Sequence, residues 1–221
     1  MSNDLKFKIS HKVTKDNSSN FTIKPLDRGY GITIGNSLRR ALLTAVPGAA
    51  ITNLKIEGAH HEFSTIDGVK EDVADIVMNL KGVRFHLFES KVEPIFLKIK
   101  GPKAFTAADI QAVSDDFTIL NPDHHITDIA KGTTLEVELR LGIGKGYKSS
   151  EENKLNNSPV GMIPIDSIFN PVTKVSFNVS PLPGAKEDTE MLSLNVKTDG
   201  SITPIDAVTV SYTHLTLPTK A

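Results

Sequence analysis

The sequence predicts an α+β fold with a β-rich middle, and three observations carry that prediction. Apolar and polar residues alternate near both ends of the chain. Two stretches have helical period. Short strand-like runs separated by Gly, Pro, Asn and Asp fill the region from Val83 to Gly146. A chain of 221 residues, 39% hydrophobic and 23% charged, has ordinary globular composition. Mass scaling removes roughly 70% of the unfolded surface from water, so a core can form without covalent staples.

The elements follow in order. Leu5, Phe7 and Ile9 alternate with polar residues, and Phe21-Thr-Ile-Lys-Pro25 resumes the alternation after the polar stretch from Asp16 to Asn20. Two half-buried strands joined by a turn are expected. Gly29 and Gly31 interrupt the chain. From Gly35, Leu38, Ala41, Leu42 and Ala45 share one helical face as far as Pro47-Gly48, with Asn36, Arg40 and Thr44 as a second, polar stripe. Ala50 to Ile56 and Phe63 bracket a further strand pair. Val69 to Leu80 carries the clearest helical stripe, Val69, Val73, Ile76 and Leu80. Glu71 and Asp72 fall in its first turn, Lys81 in its last, and Gly82 stands where a left-handed cap is expected.

Arg84 to Phe88, Pro94 to Ile99, Phe117 to Leu120 and Thr133 to Leu141 read as strands of a mainly antiparallel β region. Lys148 to Ser158 is polar and is expected to be a solvated loop. Apolar character returns from Val160 to Phe169, and Val175 to Val179 with Met191 to Val196 make a last strand pair. Ser201 to Val208 begins like a helix with Pro204 in its first turn. The β-branched residues of TVSYTHLTLPTKA and Pro218 are expected to stop that helix almost at once.

Composition narrows the function. The absence of Cys excludes a disulfide framework, a thiolate zinc site, a cysteine nucleophile and an iron–sulfur cluster, and fits a reducing cytoplasm. A formal net charge of −1 gives no global field for phosphate backbones, so autonomous DNA binding is disfavoured. The start MSNDLKFKISHKV has no apolar core after its basic residues, and no stretch approaches the roughly 20 apolar residues that span a bilayer. Neither a signal peptide nor a membrane span is expected.

Candidate motifs divide into weak and informative. Gly29, Gly31 and Gly35 spell G-x-G-x-x-x-G, one residue too long for a dinucleotide loop, and no strand–helix–strand unit surrounds them. A tight turn into a helix is the better reading. In Gly142 to Ser149, Tyr147 occupies the place where a phosphate loop needs glycine before its lysine, and a polar linker follows instead of a helix. His60-His61-Glu62 and His124-His125 with Asp128 are metal-donor types, but adjacent strand residues point to opposite faces. Surface strand histidines are therefore expected, with no metal and no cofactor. No Asp-x-Asp pair occurs, which removes the simplest arrangement for a two-metal nucleotidyl-transfer centre. Arg39-Arg40 is the informative feature, because the chain has five arginines and two stand together on a short helix. Successive helical residues project about 100° apart, so one guanidinium flanks the apolar face while the other offers a rigid fork to a partner's carboxylate or carbonyls. A merely solvated helix face explains the pair equally well on the residues alone.

The string GYGITIGNSLRRALL, Gly29 to Leu43, resembles the signature helix of the bacterial RNA polymerase alpha-subunit family, whose pattern is Gly-x-Gly-x-Thr-Leu-Gly-Asn-x-Leu-Arg-Arg; only Ile34 departs from it. The similarity continues in the family's order through HEFSTIDGVKEDVADIVMNLKGV (His61 to Val83), GKGY (Gly144 to Tyr147) and PVGMIPIDSIFNPVTKV (Pro159 to Val175), covering most of the chain to about Asn178. The resemblance implies a dimerisation subdomain built from both chain ends, residues 1–47 and 171–210, with an inserted, mainly antiparallel β subdomain at 48–170.

It also implies a cytoplasmic, non-catalytic scaffold that forms a homodimer and then binds the beta and beta-prime subunits, beta-prime carrying the catalytic aspartates. By motif position Arg40 is the principal beta contact and Arg39 and Asn36 lie beside it. His61, Glu62, Phe63, Ser64 and Thr65 match a segment that lies against beta, and Lys81 falls in a region implicated in assembly. Leu38, Leu42 and Ala45 belong to the dimer-interface helix.

Two departures qualify the match. From Val179 to Val196 the chain lacks the family's Arg-containing strand pair, so that arginine's contacts are not carried over; similarity returns from Lys197 to Ser201. After Val208 the family's long amphipathic helix and its DNA-binding C-terminal domain are not matched. Residues 211–221 are expected to be a non-native tail, dimerisation to be weakened and upstream DNA binding to be absent. The competing reading is a small β-rich enzyme or metal-binding module using His60, His61, Glu62 and His124.

Overall fold

The computed structural model describes residues 8–14, 17–88, 93–155, 159–184 and 188–216. Leu5, Phe7, the end of the polar loop at 156–158 and the last five residues of the expected tail lie outside the described residues. In chain order the first elements are β1 (Lys8–Val13), β2 (Ser18–Asp27), α1 (Tyr30–Thr44), β3 (Pro47–Ile56), α2 (Val73–Leu80), β4 (Phe85–Leu87), β5 (Ile95–Lys100), β6 (Lys103–Thr106) and α3 (Ala107–Gln111). They are followed by β7 (Phe117–Ile119), β8 (His125–Ile129), β9 (Thr134–Lys145), β10 (Tyr147–Lys148), β11 (Met162–Pro164), β12 (Ser167–Ile168), β13 (Val172–Pro181), β14 (Thr189–Thr198) and α4 (Pro204–Thr216). The architecture is α+β, every strand pair is antiparallel, and the chain divides into two compact units, Met1–Val46 with Pro171–Ala221 and Pro47–Asn170.

In the unit built from both chain ends, a four-stranded sheet runs in the order β1-β2-β14-β13. Period-two alternation puts Phe21, Ile23 and Leu26 of β2 and Leu192, Leu194 and Val196 of β14 on one buried face. Leu38 and Leu42 of α1 and Ala207 and Val208 of α4 complete that core. Helix α1 begins five residues before the expected Gly35. Gly29 supplies the left-handed residue before it, with φ of 86°. Gly31 and Gly35 lie inside the helix because β13 packs hard against it: a Cβ at Gly31 would stand 2.6 Å from Val179 Cγ1, and one at Gly35 2.6 Å from Phe177 Cδ2. Glycines that read as interruptions are points of close approach.

Helix α4 corrects the expected early stop. It runs for 13 residues, through Ser211 and into the stretch expected to be a non-native tail. Thr203 and Asp206 start it reciprocally, the Asp206 N–H donating to Thr203 Oγ1 at 3.2 Å and the Thr203 hydroxyl to Asp206 Oδ2 at 2.6 Å. Thr209 and Ser211 turn their hydroxyls back onto the carbonyls of Ile205 and Ala207. Burial of Ala207, Val208 and Ser211 overrides the weak propensity of the β-branched residues.

In the inserted unit the main sheet has the order β11-β3-β9-β5, and β4-β7, β6-β8 and β10-β12 form three small pairs. Helix α2 presses Val73, Ile76 and Leu80 into a core that includes Leu54, Phe105, Ile110 and Leu139. It starts at Val73, four residues later than expected, because Asp72 caps it by accepting from the Asp75 N–H at 2.8 Å. Val69 instead bridges to Ile129.

Gly82 is not left-handed. Its N–H donates to Asn79 O at 2.9 Å, and its missing side chain makes room for His124, whose Nε2 would lie 2.5 Å from a Cβ there. No strand forms around Phe63; β3 pairs with β9 and β11, and residues 57–72 turn back toward α2. The short helix α3 was not signalled by periodicity; Asp109 closes its first turn by accepting from the Thr106 N–H at 3.1 Å.

The polar stretch from Lys148 is only partly a solvated loop. Asn153 is buried, its Nδ2 donating to Ile165 O at 2.7 Å and Ser167 Oγ at 3.0 Å, while Asn53 Nδ2 donates to Asn153 O at 3.1 Å. Among the described residues no helix is long and apolar enough to cross a membrane.

Candidate functional site on helix α1

Helix α1 is held by its buried face and open on the other. Leu38, Leu42 and Ala45, expected on the dimer-interface helix, are 3%, 0% and 6% exposed and belong to the core of their own unit. Gly31 adds a polar tie, its N–H donating to Glu190 Oε2 at 3.2 Å. Arg39 and Arg40 are both exposed, and among the described residues neither guanidinium has an ion-pair partner. The Arg40 backbone is fixed: its carbonyl accepts from Thr44 Oγ1 at 2.7 Å. Two long, multi-donor side chains thus leave a rigid helix with no ion-pair partner among the described residues of their own unit.

Open surfaces flank that pair. Asn36, Ser37, Arg40 and Thr44 of α1, with His214 and Leu215 of α4, line an open notch of mixed polarity of about 340 Å³. Alongside it Ile34 and Leu38, with Ile9, Leu26, Tyr212 and Leu215, line an apolar groove of about 420 Å³. Contiguous apolar surface of this kind marks a place where another molecule packs.

The remaining expected contacts lie in the inserted unit. His61, Glu62, Phe63 and Thr65 are exposed and Ser64 is half-buried. The turn is shaped by Ser64 Oγ, which accepts from the His61 N–H at 3.3 Å and lies 3.2 Å from His61 Nδ1. It is fastened to the start of α2 where the Val73 N–H donates to Ser64 O at 3.1 Å. Phe63, 76% exposed, is its apolar tip. Lys81 is half-buried at the end of α2, and its ammonium is paired with Asp166, so it is committed inside its own unit.

The metal-module residues are not assembled as a set. His61 turns to Ser64, and His124 Nε2 bonds to Asn79 O at 2.8 Å. A different group comes together: donor atoms of Glu71, His125 and Asp128 lie within 4.8 Å of one another. Glu71 gives no periodic signal in the sequence; it reaches β8 from the residue before the α2 cap. Burial opposes its charge, yet hydrogen bonds from the Thr127 hydroxyl at 2.7 Å and the Asp128 N–H at 2.9 Å outweigh that and hold its carboxyl below the usual value. Asp128 is lowered by His125 first and by Lys70 second. Two glycines of the phosphate-loop lookalike serve packing: a Cβ at Gly142 would meet Thr52 Cγ2 at 2.7 Å and one at Gly144 would meet Phe169 Cδ2 at 2.6 Å, while Gly146 supplies a positive φ of 62°.

Comparison with known proteins gives this geometry a family. Residues 54–170 match the RNA polymerase Rpb3/RpoA insert domain. The DNA-directed RNA polymerase subunit alpha of Chloroherpeton thalassium is 50% identical over 192 residues, 86% of this chain and 58% of that protein. Its counterpart from Salinibacter ruber is 50% identical over 195 residues, 88% and 60% of the two chains, and that from Limosilactobacillus reuteri 45% over 210 residues, 93% and 67%. The chain spans about three fifths of the length of the first two relatives. It belongs to the DNA-directed RNA polymerase alpha-subunit family.

Proposed function

We propose that this chain is a non-catalytic assembly subunit of a DNA-directed RNA polymerase, in which two copies pair through the unit built from both chain ends and the pair binds the beta and beta-prime subunits. Arg40 is the main beta contact, with Arg39 and Asn36 beside it. The observation that carries this reading is the pair of exposed guanidiniums, without an ion-pair partner among the described residues, on a helix whose opposite face is buried. A planar five-donor fork on a rigid helix loses little freedom when a carboxylate or carbonyl engages it. The apolar groove between α1 and α4 supports self-association, since a two-fold pair would present the same groove from each copy. The exposed turn from His61 to Thr65 offers beta a second, partly apolar contact through Phe63. Catalysis falls to the partner subunits, and a net charge of −1 suits a chain that meets protein and not duplex DNA.

Capture of purified beta by this chain, beside Arg40→Ala, tests the reading, with light scattering on the eluate to give subunit ratios. Two copies of this chain per beta, lost in the variant while its urea unfolding midpoint stays unchanged, is the expected result. Undiminished capture by Arg40→Ala removes that residue from the contact. A strictly monomeric mass, alone and on beta, overturns the pairing.

A further inference from the structure

Beyond the assembly role, and without recourse to any partner subunit, we propose that Glu71, His125 and Asp128 form a surface site for one divalent first-row transition ion of the zinc and cobalt type. The three residues come from two parts of the inserted unit: Glu71 precedes the α2 cap, and His125 and Asp128 lie on β8. Their donor atoms, one imidazole nitrogen and two carboxylate oxygens, all lie within 4.8 Å of one another. That mixture suits zinc, cobalt or nickel better than magnesium or calcium, which take oxygen alone. His125 Nε2 and Asp128 Oδ1 are 3.2 Å apart. Two ligands bound to one ion at zinc-like bond lengths of about 2.1 Å and tetrahedral angles stand about 3.4 Å apart, so this edge of the site is already near its bound dimension.

The surrounding groups orient the donors. Glu71 Oε2 accepts from Thr127 Oγ1 and the Asp128 N–H, and Asp128 Oδ2 accepts from Lys70 Nζ at 3.2 Å; Asp128 Oδ1 shares a hydrogen bond with His125 Nε2 at 3.2 Å, whose proton the ion would replace. Thr127 is fully buried, so the group that holds Glu71 is itself rigid. Outer partners of this kind fix metal-binding carboxylates and tune affinity. His125 and Asp128 are 45% and 44% exposed, leaving the ion an entry path and room for water to complete its shell. The Lys70 ammonium subtracts from the negative charge of the site and keeps binding modest.

The same atoms also make an ordinary ion-pair cluster, and Lys70 separates the two readings. If the cluster exists to pair charges, Lys70→Met only loosens it. If it holds a cation, removing a competing positive charge tightens binding. Chelator-treated full-length chain titrated with Co²⁺, followed by visible absorption and calorimetry, is expected to show one saturable site in the micromolar range that Zn²⁺ displaces. His125→Ala weakens binding by at least about tenfold, and Lys70→Met tightens it several-fold. The exposed His125 ring makes that variant a mild one, and its circular dichroism and urea midpoint check the fold. Co²⁺ binding that is unchanged in His125→Ala, Lys70→Met that binds no tighter, or no saturation by the wild type at millimolar Co²⁺ overturns the site.

Discussion

The two units treat their charges differently. In the insert, five long cationic side chains are answered locally: Lys70 by Asp128, Lys81 by Asp166, Lys98 by Glu136, Lys103 by Asp109 and Arg140 by Glu138. In the unit built from both chain ends, the described ion pair is Arg28 with Asp188 at 3.9 Å, both about four-fifths exposed, while Arg39 and Arg40 have none among the described residues. Exposed apolar side chains differ too. Phe63, Phe96 and Val160 of the insert sit on a turn, a strand and a loop, whereas Ile9, Tyr212 and Leu215 of the other unit line one groove. Surface ion pairs contribute little stability, so the contrast does not show which unit is stronger. It shows where, among the described residues, two adjacent arginines without ion-pair partners lie on the same helix as a contiguous apolar groove.

Three perturbations break or sharpen that contrast. The largest is Phe105→Ala, which empties a fully buried position in the insert core and is expected to cost about 3–5 kcal/mol in urea unfolding. If the insert is self-sufficient, the methyl resonances of Leu42 in the other unit keep their positions while the insert loosens; simultaneous loss of both would erase the distinction. Next is Gly35→Ala. Its new Cβ meets the Phe177 ring at 2.6 Å, so overpacking of about 1–3 kcal/mol should exceed the helix gain of about 1 kcal/mol from replacing glycine, and Phe177→Val in the same chain should recover much of the loss. Equal stability of Gly35→Ala and wild type would mean that α1 is not clamped as described.

The smallest effect is Thr127→Val, measured in chelator. It removes one donor from Glu71 and should cost about 1 kcal/mol near neutral pH. Because the folded carboxyl lies below its ordinary value of 4.5, its contribution is present above that pH and is lost as acid protonates it. The gap between wild type and variant should therefore close as pH falls below 4.5 and through the lowered folded value. A constant gap down to pH 3 would show that packing, not the charged hydrogen bond, was at stake.

Much of the fold is legible wherever burial follows a simple period. Ile95, Leu97 and Ile99 of β5 are buried and Phe96, Lys98 and Lys100 exposed, as strict alternation requires. The α2 stripe from Val73 to Leu80 reads directly as a helix face. What sequence reasoning misplaced depends on distant neighbours. Gly31 and Gly35 look like breaks until Val179 and Phe177 are seen against them, Gly82 looks like a cap until His124 occupies its missing side chain, and α4 looks short until Ala207, Val208 and Ser211 are buried. On the candidate site, the adjacency of Arg39 and Arg40 on one helix is a local property and was readable; the freedom of both guanidiniums from internal partners was not. Glu71 beside His125 and Asp128 was out of reach, because long-range pairing brings those segments together: the Val69–Ile129 bridge, the backbone hydrogen bonds Lys70 N–H to Asp128 O and Ala130 N–H to Gly68 O, and the Thr127 hydroxyl.

The pairing of β2 with β14 also sets a timetable. The hydrogen bond from Asn195 to Asn20 joins residues 175 apart, and the whole insert lies between them. As the chain leaves the ribosome, Phe21, Ile23 and Leu26 of β2 and Leu38 and Leu42 of α1 are made early, but the strand that covers them is made nearly last. At about 5–20 residues per second that interval lasts on the order of ten seconds or more, during which the insert can fold while half a core waits beside it. Contacts this far apart in sequence form slowly. The nascent chain therefore passes through a stage with one finished unit and one sticky half-unit, a natural client for a holding chaperone and a natural point at which two chains in neighbouring stages of synthesis can entangle.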